Sequence, residues 1–440
     1  MSEHTDVIVV GGGLGGLLVA CEVLRRGGRP LILEAGPRAG GVAATVVDNG
    51  YLLEPAAGSF LLPNPYLTPL LAAAGATVIP ATDASHRRYV FNRGTLYELA
   101  GPAAVATGLV SLRGKLRLLG ERWVRPLAGP SDESLRSFFE RRLGPEVGLL
   151  VATLMAHGVF AGDPDRLSAR AAFPALVELE DSAGSLTRGA ITRMRSRPKG
   201  TPRSKVHVAP NGMAGLTAEL VAYLGDCFRP NCPVDAVCPD GNGWVVSGPT
   251  DERAPAVVVA LSPSAATAIT PEPLSAVLRE AHAAPVAIVG LGGPSADLPL
   301  PSGFGALIGP QTDLRALGLL FESSYALGRA PKGHRLLKGI YGGAADPSVM
   351  ALTDQQLVEL AVAETAKVIG VMPQPSWTRV VRHDQGIPQY DTGHVAWLSR
   401  LDDATGALSG LHLAGWGYRG IGVSSLAKHA SQLADTLLHP

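Results

Sequence analysis

The 440-residue chain is 46% hydrophobic and 17% charged, enough apolar material for two or three domains with ample cores. Lys+Arg and Asp+Glu are both 38, and the resulting net charge of zero excludes whole-protein attraction to nucleic acid or acidic lipid, leaving such contacts to local patches. The start, MSEHTD, lacks the basic head and apolar core of a signal peptide, and no run of about 20 apolar residues offers a spanning helix, so a cytoplasmic protein is expected.

Asp6 to Val10 is a short β-branched run that reads as a buried parallel strand. Gly11, Gly13 and Gly16 follow as G-x-G-x-x-G, with Leu14 and Gly15 between the last two. The first glycine permits a tight turn, the second lets backbone approach a pyrophosphate, and the third lets helix and sheet pack closely. Leu14, Leu17, Leu18, Cys21 and Leu24 recur at helical spacing, and Gly27-Gly28 stop the helix. Pro30 to Leu33 forms the next strand, closed by Glu34, an acid placed to accept hydrogen bonds from ribose hydroxyls. Free N–H groups and the dipole at the helix N-terminus suit the diphosphate. The whole unit reads as a dinucleotide site, extended by Ala35, Arg38, Gly40 and Gly41, where Arg38 can neutralise a phosphate and the glycines allow close passage.

From 102 to 126, Val105, Leu109, Leu112, Leu116, Leu119 and Trp123 recur at steps of four and three, with Arg113, Lys115, Arg117, Arg122 and Arg125 off the stripe. This predicts a basic amphipathic helix, or two with a break near Gly114, whose apolar stripe either packs on the protein or docks on a membrane surface. Ser131 is placed to cap a further helix, Gly144-Pro145 separates the next, and helices continue to about 195. Arg193 to Lys205 is a basic linker without aromatics to stack bases, so no nucleic-acid partner is expected. Met213 to Leu224 reads as a helix, Pro233 to Cys238 and Gly243 to Ser247 as a hairpin around Asp240-Gly-Asn-Gly, and Ala256 to Leu261 and Pro285 to Leu291 as strands. Gly290-Leu-Gly-Gly293 runs straight into Pro294 and is not a second dinucleotide fingerprint. Thr353 to Gln356 forms a capping box for a helix that Gly370 ends. Leu411 to Ala414 is a strand, Gly415 to Gly422 a glycine-rich turn and Ser424 to Leu438 a helix. The four cysteines form no C-x-x-C pair; they read as reduced thiols, and no metal is expected.

Gly11 to Gly41 resembles the FAD-binding start of the amine-oxidase and phytoene-desaturase superfamily. Glu54-Pro-Ala-Ala-Gly-Ser-Phe-Leu61, Arg87-Arg-Tyr-Val90, Phe160-Ala-Gly-Asp-Pro-Asp-Arg-Leu-Ser168, Gly184-Ser-Leu186, Gly386-Ile-Pro-Gln-Tyr390 with Gly393-His394, and Tyr418-Arg-Gly-Ile-Gly422 are similar to blocks of oxygen-dependent protoporphyrinogen oxidases and bacterial coproporphyrinogen oxidases, in that family's order. The resemblance implies an α/β architecture: a Rossmann-like FAD-binding domain in three parts (1–90, 201–268 and 376–440), a helical insertion (91–200) and a mixed-sheet substrate domain (269–375). It implies hydride transfer from a porphyrinogen to flavin N5, with reoxidation by O2 giving H2O2. FAD is expected to be noncovalent, since no cysteine lies near the final turn. Carried over by position, Val42, Ala57, Gly58, Val234, Trp416, Gly422 and Val423 join the glycines, Glu34, Ala35 and Arg38 as cofactor-binding residues. Arg88 is placed to pair with a substrate carboxylate, and Gly58, Leu307, Leu317, Phe321 and Trp416 to contact the rest of the substrate.

Three departures bear on the substrate. Gly58 stands where the family has Asn, Gly415-Trp416-Gly417 replaces its Gly-Asn turn, and His383 takes the place of a Trp ahead of I-P-Q-Y. A paralogous flavin oxidase acting on another amine or heterocycle, with His383 as base or as a structural side chain, is therefore an alternative. A noncatalytic tetrapyrrole- or flavin-binding partner is a second. Membrane contact through 102–126 and homodimer formation are both compatible with the sequence.

Overall fold

The computed structural model describes residues 5–99, 108–127, 132–196, 198, 200 and 202–439. A five-stranded parallel sheet runs in the order Phe228–Arg229, Pro30–Leu33, Val7–Val10, Ala256–Val259, Leu411–Leu413. Val7–Val10 is central and fully buried, which explains a strand made only of Val and Ile with no alternation. The helix Leu14–Arg25 starts at Gly13, and together with Gly212–Leu224 and Val423–Leu438 it covers one face of this sheet with Leu17, Met213, Leu216, Leu426 and Ala430. The opposite face packs under the antiparallel strands Ala236–Asp240 and Gly243–Ser247 and the helix His394–Gly406.

A second sheet has seven strands, in the order Trp377–Pro388, Ala283–Pro294, His334–Gly342, Gly318–Leu320, Gly305–Ile308, Arg88–Asn92, Thr95–Glu98. All neighbours are antiparallel except Gly305–Ile308 and Arg88–Asn92. One face is sealed by the helix Asp354–Ile369, whose Leu357, Ala361 and Val368 meet Ala306, Leu319 and Phe321. Thr353 caps that helix with both bonds of a capping box, and Gly370 ends it in the left-handed conformation, as the sequence predicts.

The helical part departs from the sequence reading in three places. Residues 102–107 of the amphipathic stretch lie outside the described residues, and the helix observed is Leu112–Leu119 followed by a 3-10 turn, Glu121–Trp123. Gly114 lies inside that helix, and only glycine fits there: a Cβ would stand 2.7 Å from the Glu146 carboxylate and 2.8 Å from Val110. The next helix, Leu135–Leu143, is capped by Ser134, whose hydroxyl accepts from Ser137 N; Ser131 lies outside the described residues. Leu186–Ser196 is helical through the first residues of the expected linker. This part is knotted by Arg142, fully buried, which bonds the Glu121 and Glu180 carboxylates, while Arg141 joins Glu180 to Glu133. Deleting one member of such a buried pair costs roughly 3–5 kcal/mol, since the remaining charge is stranded.

Candidate active site

Two cavities meet between the sheets. The first is a cleft of about 350 Å³ over the C-terminal ends of Val7–Val10 and Ala256–Val259, bounded by Gly11, Gly13, Gly15, Glu34, Gly40 and Gly41 and closed by Gly415 to Gly417. Its shape follows from its glycines. Gly11 takes φ +103°, open to glycine and strained for other residues. A Cβ on Gly16 would stand 2.1 Å from the Gly11 carbonyl oxygen, so helix and turn touch directly. Gly13 is the reverse case: a Cβ there meets nothing within 4 Å and would project into the cleft it lines. Gly13 and Gly40 form a parallel bridge, and Gly40 N donates to Gly12 O at 2.8 Å, which joins the two glycine loops into one cradle. Glu34 accepts from Gly12 N and Gly36 N, both at 2.7 Å, one on each carboxylate oxygen. Each oxygen has a further lone pair for a ribose hydroxyl.

The second cavity, about 280 Å³, adjoins the first. Val42, Gly386, Pro388 and Trp416 line both. Its floor is the open face of the seven-stranded sheet, through Val286, Ile288, Ile340 and Lys338, and its walls are Pro55 to Ala57, Gly158, Val159 and Ile421. The titratable groups of this lining are Lys338 and His383. His383 Nε2 donates to Pro55 O at 3.1 Å, which leaves Nδ1 as the nitrogen able to accept a proton.

The loop from Glu54 to Gly58 rests on a buried charge cluster. Lys338 Nζ lies 2.8 Å from Glu322 and donates to Glu54 O at 2.9 Å and Ala56 O at 3.3 Å. Arg329 donates to the Glu54 carboxylate at 2.7 Å and to Gly58 O at 3.4 Å. Met213 N and the Thr45 hydroxyl complete the Glu54 shell. Burial pushes the Glu54 carboxyl up, against the opposing pull of Arg329 and Met213 N–H. Two carboxyl side chains and two basic ones therefore hold the loop from below.

The remaining sequence-predicted site residues are distributed as follows. Ala57 lines the second cavity, whereas Leu307 packs against Gly158 of its wall and is not itself among the lining. Gly58 is buried behind its loop. Leu317 packs with Val286 and Ile288 in the core beneath the cavity floor. Phe321 lies in the core on the sheet's other face, against Tyr89, and is not brought to either cavity. Ala35 and Arg38 are exposed beyond Glu34, and Val234 packs in the sheet's second core; none of the three is among the cleft lining. Gly422 caps the final helix and Val423 begins it, with Ile421 on the second cavity and Leu426 on the cleft, so the helix N-terminus sits at the seam of the two. Arg88 is exposed, its guanidinium 5.0 Å from the Phe304 ring centroid. It pairs with Gly305, Gly305 with Leu320, and Leu320 with Lys338, so Arg88 and Lys338 occupy one row on one sheet face. Three strand spacings separate them, about 14 Å. Sequence reasoning missed Lys338 on a strand, Glu322 on the short helix Glu322–Tyr325 and Arg329 in the loop after it; a charged side chain gives no local sign that it is buried.

Cradle, acid and adjoining apolar cavity define a dinucleotide-binding flavoprotein oxidoreductase. The residues present fit FAD: an open glycine face for the diphosphate, Glu34 for a ribose, and the buried Trp416 Nε1–H without a protein partner at the boundary. The chain matches the flavin containing amine oxidoreductase family over residues 14–423 and belongs to it. It is 27% identical to the coproporphyrinogen III oxidase of Bacillus subtilis (strain 168), over 95% of this chain and 94% of that one. It is 30% identical to the chloroplastic protoporphyrinogen oxidase of Oryza sativa subsp. japonica, over 98% of this chain and 88% of that one. Among solved structures, a protein of Exiguobacterium sp. 255-15 provisionally assigned as a protoporphyrinogen oxidase superposes with TM-score 0.83 at 22% identity, over the full length of both chains. Cyclohexylamine oxidase of Brevibacterium oxydans superposes with TM-score 0.72 at 21% identity, over 99% of this chain and 100% of that one. The protein is an FAD-dependent oxidoreductase of the porphyrinogen-oxidase type.

Proposed function

We propose that the protein oxidises a porphyrinogen, with dioxygen as the final acceptor. The observation that carries this is the second cavity: apolar, broad along a sheet face, contiguous with the cofactor cleft, and followed in the same sheet row by Arg88. When bound, FAD supplies the two-electron acceptor for hydride removal and passes the electrons on to oxygen as H2O2. The chain's own part is to bind and orient. Val286, Ile288 and Ile340 offer a flat apolar platform, Trp416 separates substrate from cofactor cleft, and Arg88 pairs with a peripheral carboxylate by a charge-assisted bond. The helix N-terminus at Val423 favours negative charge at the adjoining edge of the cofactor site. Lys338, Glu322, Arg329 and Glu54 hold the Pro55–Ala57 wall, and His383 pins it from the side.

Holoenzyme mixed aerobically with freshly reduced coproporphyrinogen or protoporphyrinogen tests this through porphyrin fluorescence against an enzyme-free control. Catalysed appearance of either porphyrin is expected. Absence of both, with FAD bound, would overturn the reading in favour of a different amine or heterocycle, the alternative that His383 and Trp416 in the cavity lining favour.

We also propose that the helix Leu112–Leu119 meets an anionic membrane surface. Leu112, Leu116 and Leu119, which share one face of the helix, and Trp123 in the 3-10 turn after it are between 62% and 73% exposed, with Met194 also exposed on Leu186–Ser196. Arg122 lies over the Trp123 ring at 3.9 Å, among Arg113, Lys115 and Arg125. Apolar insertion plus basic attraction is the physics of interfacial helices. No helix of the described residues is long and apolar enough to cross a membrane. Co-sedimentation with phosphatidylglycerol vesicles, reduced by Leu116→Ser with Leu119→Ser and weak on phosphatidylcholine, is the expected outcome; equal recovery in the supernatant with both lipids would contradict it.

A further inference from the structure

The turn Gly415 to Gly422 lines both cavities through Trp416, Gly417 and Ile421, yet little within it fixes its shape. Gly415 and Gly420 take φ +122° and +106°, and glycine restrains backbone poorly. Two phenols hold it from either side. Tyr418, inside the turn, is buried and donates to Leu261 O at 3.0 Å, tying the turn to the end of the parallel strand Ala256–Val259. Tyr390 enters from outside. Its hydroxyl accepts from Gly420 N at 2.7 Å and donates to Trp416 O at 3.0 Å, so one oxygen satisfies a donor and an acceptor four residues apart.

Tyr390 is itself immobilised. Its ring stacks on His394, with centroids 4.0 Å apart, and leans on Phe160 at 5.3 Å. Ser168 N donates to Tyr390 O at 2.9 Å, and the neighbouring Gln389 side chain donates to Phe160 O at 2.9 Å. Burial pushes the Tyr390 hydroxyl up to about 12, so it remains a proton donor throughout the neutral range. The residue thus links the helical part of the chain to the turn that separates cofactor cleft from substrate-side cavity.

We propose that Tyr390 is a positioning residue for the flavin site: its hydroxyl sets the span between Trp416 O and Gly420 N, and so where Trp416 and the N-terminus of Val423–Leu438 stand against the bound cofactor. The inference rests on the FAD site and not on the choice of substrate, so its test is run without substrate. Tyr390→Phe keeps the ring between His394 and Phe160 and removes only the bridging oxygen. Apoprotein of this variant is expected to bind FAD about tenfold more weakly on titration, and the absorption spectrum of its bound flavin is expected to shift. Phe138→Leu, in the same apolar cluster, removes packing but leaves the hydroxyl. It is expected to lower the thermal midpoint while FAD affinity stays within about twofold. Wild-type affinity and an unchanged spectrum in Tyr390→Phe would overturn the proposal. So would an equal loss of affinity in Phe138→Leu, which would reduce Tyr390 to a packing role.

Discussion

At the scale of single residues, Gly13 and Gly16 separate binding from folding. Gly13 has ordinary helical-entry angles, φ −64°, and open space at its Cβ position, whereas Gly16 is in direct contact with the Gly11 carbonyl. Gly13→Ala is therefore expected to leave the unfolding midpoint of the apoprotein unchanged while weakening FAD binding tenfold or more. Gly16→Ala is expected to cost the apoprotein about 1–3 kcal/mol in a denaturant titration, through overpacking. Arg88 gives a third expectation. With its guanidinium exposed on Phe304, Arg88→Ala is expected to raise KM for a carboxylated porphyrinogen about tenfold with kcat and stability nearly unchanged. A fourth concerns pH. Burial holds His394 down to about 4, against weaker opposing contributions from Tyr418 and Asp132. As pH falls below the ordinary histidine value the unfolded chain takes up this proton and the folded chain does not, so stability is full at neutral pH and declines from about 6.5 towards 4. His429, also held at about 4, adds to the decline, and His394→Gln is expected to make the fall of the thermal midpoint across that window shallower. Residues of this kind differ in how openly the sequence declares them. The glycines and Glu34 were legible because turn geometry and ribose binding demand those residue types at that spacing. Lys338 was not, since its partners Glu54, Ala56 and Glu322 come together only after the sheet forms.

At the scale of elements, periodicity identified the helices well and their surroundings poorly. Of the predicted stripe, Leu109 is packed against Val147 and Leu150, whereas Leu112, Leu116 and Leu119 on the helix and Trp123 in the 3-10 turn after it are exposed. A repeat of apolar residues says that a face exists and not what covers it. Of the two arrangements the spacing allows, one helix or two with a break near Gly114, the sequence does not choose; Gly114 lies inside the helix, where the close approach of Glu146, from a later element, leaves no room for a side chain. The capping box at Thr353 was legible because both of its hydrogen bonds lie within four consecutive residues. Thr353→Ala is expected to cost about 1 kcal/mol in denaturant titration, with FAD affinity unaffected, since that helix faces away from both cavities.

At the scale of the whole molecule, the cofactor sheet is assembled from strands between residues 7 and 33, at 228 and 256, and at 411, with the substrate-side sheet threaded between them. That weave puts Gly386, Pro388 and Trp416 on the border of both cavities, so that whatever lies on the apolar floor lies against the cofactor. The central claim is that this adjacency serves oxidation of a porphyrinogen. The most direct test is the isolated half-reaction: anaerobic holoenzyme mixed with a porphyrinogen, with flavin absorbance and porphyrin fluorescence followed together. Bleaching of the flavin in step with the rise of fluorescence, reversed on admitting oxygen, is the result expected. Flavin that stays oxidised with both coproporphyrinogen and protoporphyrinogen, yet bleaches with dithionite, would contradict the account.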